Sequence, residues 1–145
     1  MFIQQLSVFL ENVKGSLCDM TGVLAEQKVD FMAMSIADTA SFGIVRCIVK
    51  EAEMSTALDA LKAGGYTAKM NHVICVQVPD KPGGLHRILQ ILQENDLSIE
   101  YTYSFFRTME DHALLVLRLA DPQKGLQVLS ERGVPLVSQE QINRL

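Results

Sequence analysis

The sequence lacks tryptophan, has few aromatic residues and shows no excess of basic charge. Aromatic residues are 6% of its 145 residues, and 13 Lys and Arg stand against 17 Asp and Glu, for a formal net charge of −4. Proteins bind nucleic acids and anionic membrane surfaces largely through clustered Lys and Arg. Neither half of the chain carries such a cluster, so we expect no nucleic-acid partner and no membrane partner.

Cysteine is scarce, and its spacing excludes common uses of the thiol. Cys18, Cys47 and Cys75 are far apart, and none belongs to a Cys-x-x-Cys pair. Zinc ribbons and dithiol redox sites are therefore excluded. We expect all three cysteines to be buried apolar side chains in a reducing compartment, with thiols that react slowly.

Long apolar runs and catalytic motifs are missing as well. No run approaches the roughly 18 residues of a membrane span, and no basic segment precedes an apolar one at the N-terminus. His72, His86 and His112 have no ligand partner at metal-site spacing, and no nucleophile motif occurs. We expect a cytoplasmic protein that is not an enzyme, with no catalytic residue, no metal and no cofactor.

An internal repeat is the most informative feature that the sequence does contain. When the chain is displaced by about 68 residues against itself, identical residues coincide. The matching pairs include Val8 with Val76, Gly15 with Gly83, Leu17 with Leu85 and Gly65 with Gly133. The repeat predicts two similar domains, 1–71 and 72–145.

Each repeat has the predicted order βαββαβ. Alternating apolar residues at 6–10 and 74–78 predict the first strands, and the spacing then changes to that of an amphipathic helix. The later strands and helices are predicted at 30–37, 43–49, 53–63 and 66–70, and at 98–105, 113–119, 123–132 and 134–138. This order is the α+β, ferredoxin-like fold. No Gly-, Pro- or Ser-rich linker separates the repeats, so we expect the fourth strand of the first to run almost directly into the next strand.

The turn of the second repeat resembles that of ACT domains. Residues 76–85, VQVPDKPGGL, fit the family's strand, then Asp/Asn-x-Pro-Gly-x-Leu, then an amphipathic helix. The first repeat keeps Asn12 and Gly15 but has Lys14 where the family usually has proline. The resemblance implies a regulatory, non-catalytic protein that binds a free amino acid and has a metabolic enzyme as a possible partner. Two repeats account for the chain, as in stand-alone tandem ACT proteins.

The chemistry of these turns suits an amino acid. Glycine at a helix start lets the backbone approach a ligand closely, and the unpaired N–H groups of the first turn attract a carboxylate. Asn12 and Asp80 are placed to meet an ammonium group. The alternative is that Gly15, Gly83 and Gly84 only form tight turns while Asn12 and Asp80 only cap the helices.

The resemblance also implies where ligands bind. Two ACT domains side by side, joined along their second strands into an eight-stranded sheet, would hold ligands at their junction. One predicted site combines Asn12, Lys14, Gly15, Ser16 and Leu17 with Ser98, Ile99 and Glu100. The other combines Asp80, Pro82, Gly83, Gly84 and Leu85 with Asp30, Phe31 and Met32. Two aspartates in the second site favour a cationic group, so we expect unequal affinities and a preference for neutral or cationic amino acids.

A homodimer is also predicted. Both faces of the second strand in the first repeat are apolar, and we expect Phe9, Met32, Met34 and Ile36 to lie together on an open sheet face that a second copy covers. The chief alternative to ligand binding is a structural or interaction subunit that works through protein contacts alone.

The aromatic stretch in the second repeat invites comparison with RNA-binding sheets, in which aromatic rings stack on bases. Tyr101, Tyr103 and Phe105 alternate with polar residues and have few basic neighbours. We expect them to share a face with Ile99 and to cover the helices as part of the core.

Overall fold

The computed structural model describes residues 1–145, which divide into two compact units. One, the first-repeat unit, is Gln4–Asn71; the other, the second-repeat unit, is His72–Leu145 together with Met1–Ile3. No helix in either unit is both long enough and apolar enough to cross a membrane.

The first-repeat unit follows the predicted order. Its elements are β1 (Ile3–Glu11), α1 (Ser16–Glu26), β2 (Ala33–Asp38), β3 (Phe42–Ile48), α2 (Glu51–Ala63) and the beginning of β4 (Thr67–Pro79). Strand β3 pairs antiparallel with β1 on one side and with β2 on the other. Alternate residues of β1, including Leu6 and Val8, pack with Met20, Leu24 and Leu61 of the helices in one core. The alternation in the sequence correctly predicts the helix-covered face.

Strand β4 is a single strand of 13 residues, Thr67–Pro79. It includes the predicted last strand of the first repeat and the predicted first strand of the second. The expected direct continuation from one repeat into the next is confirmed.

The second-repeat unit continues with α3 (Gly84–Glu94), β5 (Ile99–Met109), β6 (His112–Leu119), α4 (Pro122–Glu131) and the short α5 (Gln139–Asn143). Strand β6 pairs antiparallel with both β4 and β5. Side chains of β4 and β6 pack against α3 and α4 in a second core, which includes Ile74, Val76, Ile88, Leu92, Leu117 and Leu129.

The strand predicted at 134–138 is reduced to a short bridge. The N–H of Gln77 donates to the carbonyl of Pro135 at 2.9 Å, and the N–H of Val137 donates to that of Cys75 at 2.9 Å. Pro135 has no N–H with which to extend a ladder. Ser138 then begins α5 through a capping box with Gln141. The S-x-x-Q pattern that marks this helix start was present in the sequence.

A bulge at the start of β5 overturns the expectation for its aromatic residues. Ile99 pairs with Leu119, a residue of the helix-side core, but the register shifts so that Tyr101 pairs with Arg118. Tyr103 pairs with Val116 on that same face, away from the helices. Because the extra residue turns the side chains that directly follow it to the other face, Tyr101 and Tyr103 do not cover the helices with Ile99.

The surface predicted for a homodimer does not exist as one face. Met34 and Ile36 pair with Cys47 and Val45, whose side chains belong to the helix-side core. Phe9 pairs with Ile44, one residue out of phase with that core, and so lies on the opposite face. Met32 precedes β2 and is fully buried. The homodimer stays a prediction, without this surface.

The cysteines differ in exposure. Cys47 and Cys75 are buried as expected, and burial raises the pKa of each thiol to about 12. Cys18 in the first turn of α1 is exposed, so the expectation that it is buried is wrong.

Candidate functional site

The turn before α3 combines an unusual backbone with an open helix start. Gly83 precedes the helix with a φ of 83°, in the left-handed region that glycine adopts without strain. No side chain caps the helix, so the first-turn N–H groups have no side-chain acceptor. A Cβ on Gly84 would lie 2.3 Å from the carbonyl oxygen of Pro79. The close packing of helix start against strand end therefore requires glycine at Gly84.

The turn before α1 has the same geometry. Gly15 has a φ of 89°, and no side chain caps the helix. The side chain of Asn12 donates instead to the carbonyl of Thr39 at 3.5 Å. Neither Asn12 nor Asp80 caps its helix, so the alternative prediction that these two residues are helix caps is wrong. The other half of that alternative holds, because Gly15, Gly83 and Gly84 do form tight turns.

A cavity of about 300 Å³ lies beside the second turn, and we call it the second-repeat groove. It is bounded by the end of β4, the start of α3 and the segment after α4. Its lining residues are Gln77, Pro79, Lys81, Pro82, Gly83, Gly84, Arg87, Ile88, Ile91, Arg132, Gly133, Val134 and Pro135. All three of its charged residues, Lys81, Arg87 and Arg132, are basic.

These basic side chains are not equally available. Arg132 forms an ion pair with Glu94 at 3.0 Å, which offsets its charge. Arg87 and Lys81 are exposed and form no ion pair. With the positive end of α3, they make the groove electropositive, and its apolar wall is formed by Ile88, Ile91 and Val134.

A cavity of about 360 Å³ occupies the corresponding position in the first-repeat unit, and we call it the first-repeat groove. Its lining residues are Phe9, Leu10, Glu11, Ser16, Asp19, Phe42, Gly65, Tyr66 and Thr67. Displacement by 68 residues superposes most of them on lining residues of the second-repeat groove. The charges differ, because this groove is lined by two carboxylates and no basic residue.

The predicted site residues are distributed unevenly over these cavities. Pro82, Gly83 and Gly84 line the second-repeat groove, whereas Ser16 is the one predicted residue that lines the first-repeat groove. The remaining predicted turn residues are Asn12, Lys14, Gly15, Leu17, Asp80 and Leu85, which lie beside the grooves in sequence.

The predicted strand-start residues have partners of their own within each unit. The N–H of Asp30 donates to a side-chain oxygen of Glu53 at 3.2 Å, and Phe31 packs against the first core. Glu100 forms an ion pair with Arg118 at 3.3 Å. That Ser98, Ile99 and Glu100, or Asp30, Phe31 and Met32, join the turn of the opposite repeat stays a prediction.

Sequence reasoning missed the residues that give the grooves their charge. Arg87 and Asp19 lie one helical turn beyond the glycines, and the segments 65–67 and 132–135 come from the far end of each repeat. The repeat alignment was the available signal, because it superposes Asp19 on Arg87 and shows the change of sign. No group of three His, Cys, Asp or Glu side chains is arranged to hold a metal ion.

Comparison with known proteins identifies the family. The family model described as an ACT domain pair matches residues 1–145. The chain belongs to the ACT domain pair family. No protein of curated function is similar in sequence at a significant level.

Solved structures share the fold of this chain. Protein BT0572 from Bacteroides thetaiotaomicron is 34% identical, with a TM-score of 0.89 over 100% of this chain and 98% of that one. The regulatory subunit of aspartate kinase from Thermus thermophilus, in a ligand-free form, is 16% identical, with a TM-score of 0.63 over 90% and 92%. The corresponding subunit from Thermus flavus is 14% identical, with a TM-score of 0.58 over 88% and 90%. These two subunits share the fold, and ACT domains as a family are regulatory and bind ligands.

Proposed function

We propose that this ACT domain pair binds a free amino acid and regulates a metabolic enzyme without catalysing a reaction itself. The observation that carries the proposal is the electropositive second-repeat groove at an uncapped helix start. Lys81 and Arg87 are its available cations. A carboxylate is the group that this combination of backbone N–H donors and cations favours.

An amino acid would contact two parts of the groove, the helix start and the apolar wall. Its carboxylate would accept hydrogen bonds from the first-turn N–H groups, with Arg87 close enough in sequence to add a charged donor. Its side chain would lie along the apolar wall of Ile88, Ile91 and Val134. Asp80, in the turn itself, is available for the ammonium group.

The finer assignment rests on the family resemblance. We propose that the turn of each repeat contributes to a site completed by the second strand of the other repeat. We propose separately that the chain forms a homodimer. On this proposal the amino acid's ammonium group would meet carboxylates in the second site, so neutral and cationic amino acids would bind more tightly than acidic ones.

Thermal stability in the presence of single amino acids tests the proposal. A ligand that binds only the folded state raises the melting temperature, and a hundredfold excess over Kd corresponds to roughly 2.7 kcal/mol. Arg87→Ala should weaken binding of the best ligand about tenfold, because a hydrogen bond to a charged group is lost. Lys62→Ala, an exposed lysine of the other unit, is the matched control.

A panel in which no amino acid changes the melting temperature would contradict the proposal. It would favour the alternative, an interaction subunit that acts through protein contacts. Calorimetric titration of Asp30→Ala and Asp80→Ala then tests the finer assignment, which fails if neither substitution changes affinity.

A further inference from the structure

We propose that the first-repeat groove is a separate site for a small organic ammonium cation. It shares only Ser16 with the predicted amino-acid sites, and its chemistry is opposite to that of the second-repeat groove. The proposal does not depend on amino-acid binding elsewhere in the chain.

Aromatic rings are concentrated around this cavity. Phe9, Phe42 and Tyr66 all line it, although only 6% of the chain is aromatic. Phe9 is 39% exposed and Phe42 is 56% exposed, so neither ring is buried in the core and both can contact a ligand. Aromatic faces attract cations through the negative potential of the ring, and groups of such rings recognise ammonium ligands.

Two carboxylates complete the cation-binding character. Glu11 and Asp19 line the same cavity, and neither forms an ion pair. Glu11 lies directly opposite Phe42 in the pairing of β1 with β3, which places a carboxylate beside an exposed ring. Asp19 lies in the first turn of α1 and offsets the positive end of that helix. The groove therefore keeps a net negative charge.

The second-repeat groove shows that the fold alone does not produce this chemistry. The 68-residue displacement places Gln77 at the position of Phe9, and Arg87 at the position of Asp19. Likewise, Val134 stands in place of Tyr66. The same backbone thus presents rings and carboxylates in one repeat and basic side chains in the other. A cation that carries no carboxylate should therefore bind the first-repeat groove in preference to the second-repeat groove.

The size of the cavity fits a small ligand. Its volume of about 360 Å³ lies in the range of small-molecule pockets and leaves room for a trimethylammonium group. The aromatic rings and two carboxylates suit an organic ammonium group rather than a metal ion, for which no group of three His, Cys, Asp or Glu side chains is arranged.

Choline and its neutral isostere 3,3-dimethylbutan-1-ol provide the direct test. The two have the same shape, but only choline is charged. In titrations of the full chain followed by amide NMR, choline should shift the signals of Glu11, Asp19 and Tyr66, and the neutral alcohol should not. Added salt should weaken choline binding, because charge attraction contributes to it.

Two variants separate the contributions of ring and charge. Phe42→Ala and Glu11→Gln should each weaken choline binding by about threefold to tenfold. Glu11→Gln keeps the shape of the groove, so it tests charge even if loss of the ring disturbs the local fold. Phe106→Ala, which removes a 64% exposed ring from the other unit, is the control and should change nothing.

Equal binding of choline and the neutral alcohol would overturn the proposal, because it would show an apolar groove without cation recognition. Absence of shifts at the groove, shifts confined to the second-repeat unit, or unchanged binding in both variants would also overturn it. Since these titrations contain no amino acid, their failure is distinct from failure of the amino-acid proposal.

Discussion

At the scale of single residues, the three cysteines are of two kinds. Cys18 is exposed, whereas Cys47 and Cys75 are buried. The sequence contained the signal for this difference, because the helical stripe of α1 buries Met20 and Leu24 and leaves Cys18 off that stripe. Composition alone misled, since it treats every cysteine as a small apolar residue.

Thiol reactivity should show the same division. Because access controls modification, a disulfide reagent should modify one thiol per folded chain quickly and the other two only after unfolding. Absorbance of the released thiolate measures this, and Cys18→Ser should abolish the fast phase. A fast phase that survives this substitution, or three fast thiols in the wild type, would contradict the structure.

Alkaline pH should weaken the fold through the buried thiols. Burial raises the pKa of Cys47 and Cys75 to about 12 from the ordinary thiol value of 9.0, so above pH 9.0 the unfolded chain loses protons that the folded chain retains. Their stabilising effect is complete below pH 9.0 and is lost as pH rises toward 12. Each thiol should lower the free energy of unfolding by about 1 kcal/mol between pH 9.0 and roughly pH 10.

Denaturant unfolding of Cys47→Ala and Cys75→Ala measures this effect. Both variants lose stability at neutral pH, but their stability should fall less steeply with pH than that of the wild type. Each variant differs from the wild type only at one thiol, so the difference in slope isolates that thiol. Identical slopes would show that the buried thiols do not contribute.

At the scale of elements, periodicity predicted the strands and helices well where side chains alternate regularly. The helix-side residues of β1, including Leu6 and Val8, are an example. Periodicity could not predict which face of the sheet Tyr101 and Tyr103 occupy. The β-bulge before them is an irregularity of the backbone that no particular side chain marks in the sequence. The strand at 134–138 failed for a visible reason, since Pro135 and the Ser138 cap both interrupt it.

A methyl group added to a glycine should change the stability of the protein in opposite directions at a helix start and in a helix interior. Gly84→Ala would place Cβ 2.3 Å from the backbone of Pro79, so we expect a loss of roughly 2–4 kcal/mol and disruption of the second-repeat groove. Gly22→Ala, in the exposed middle of α1 with nothing within 4 Å, should stabilise by about 0.5–1 kcal/mol. Chemical denaturation measures the free energy of unfolding of both variants. A Gly84→Ala variant as stable as the wild type would contradict the close packing of Gly84 against Pro79.

At the scale of the whole molecule, the repeat predicted the architecture but not the different charges of the two grooves. Equivalent turns and equivalent cavities follow from the shared pattern of glycines and apolar residues. The opposite charges of the grooves depend on single differences between the repeats, such as Asp19 in the first where the second has Arg87. They depend also on segments about 50 residues further along the chain, which reach the helix starts only in the folded protein. The ligand chemistry therefore had to be found in the structure.

The first three residues belong to the unit formed by the C-terminal half of the chain, which the repeat does not predict. Residues Met1–Ile3 belong to the second-repeat unit, and Phe2 packs against its core. Phe2→Ser should therefore destabilise a unit whose remaining residues begin about 70 positions later. Removing most of a partly buried aromatic side chain should cost about 1–3 kcal/mol.

Native-state hydrogen exchange can locate this loss, because it reports opening segment by segment. Amides of β6 and α4 should exchange faster in Phe2→Ser, while those of α1 and β3 keep their protection. Val13→Ser, which replaces an apolar side chain that is 61% exposed in the turn before α1, is the control and should change neither set. Faster exchange confined to the first-repeat unit would show that Phe2 supports its neighbours in sequence, and the assignment of the N-terminus to the second core would be wrong.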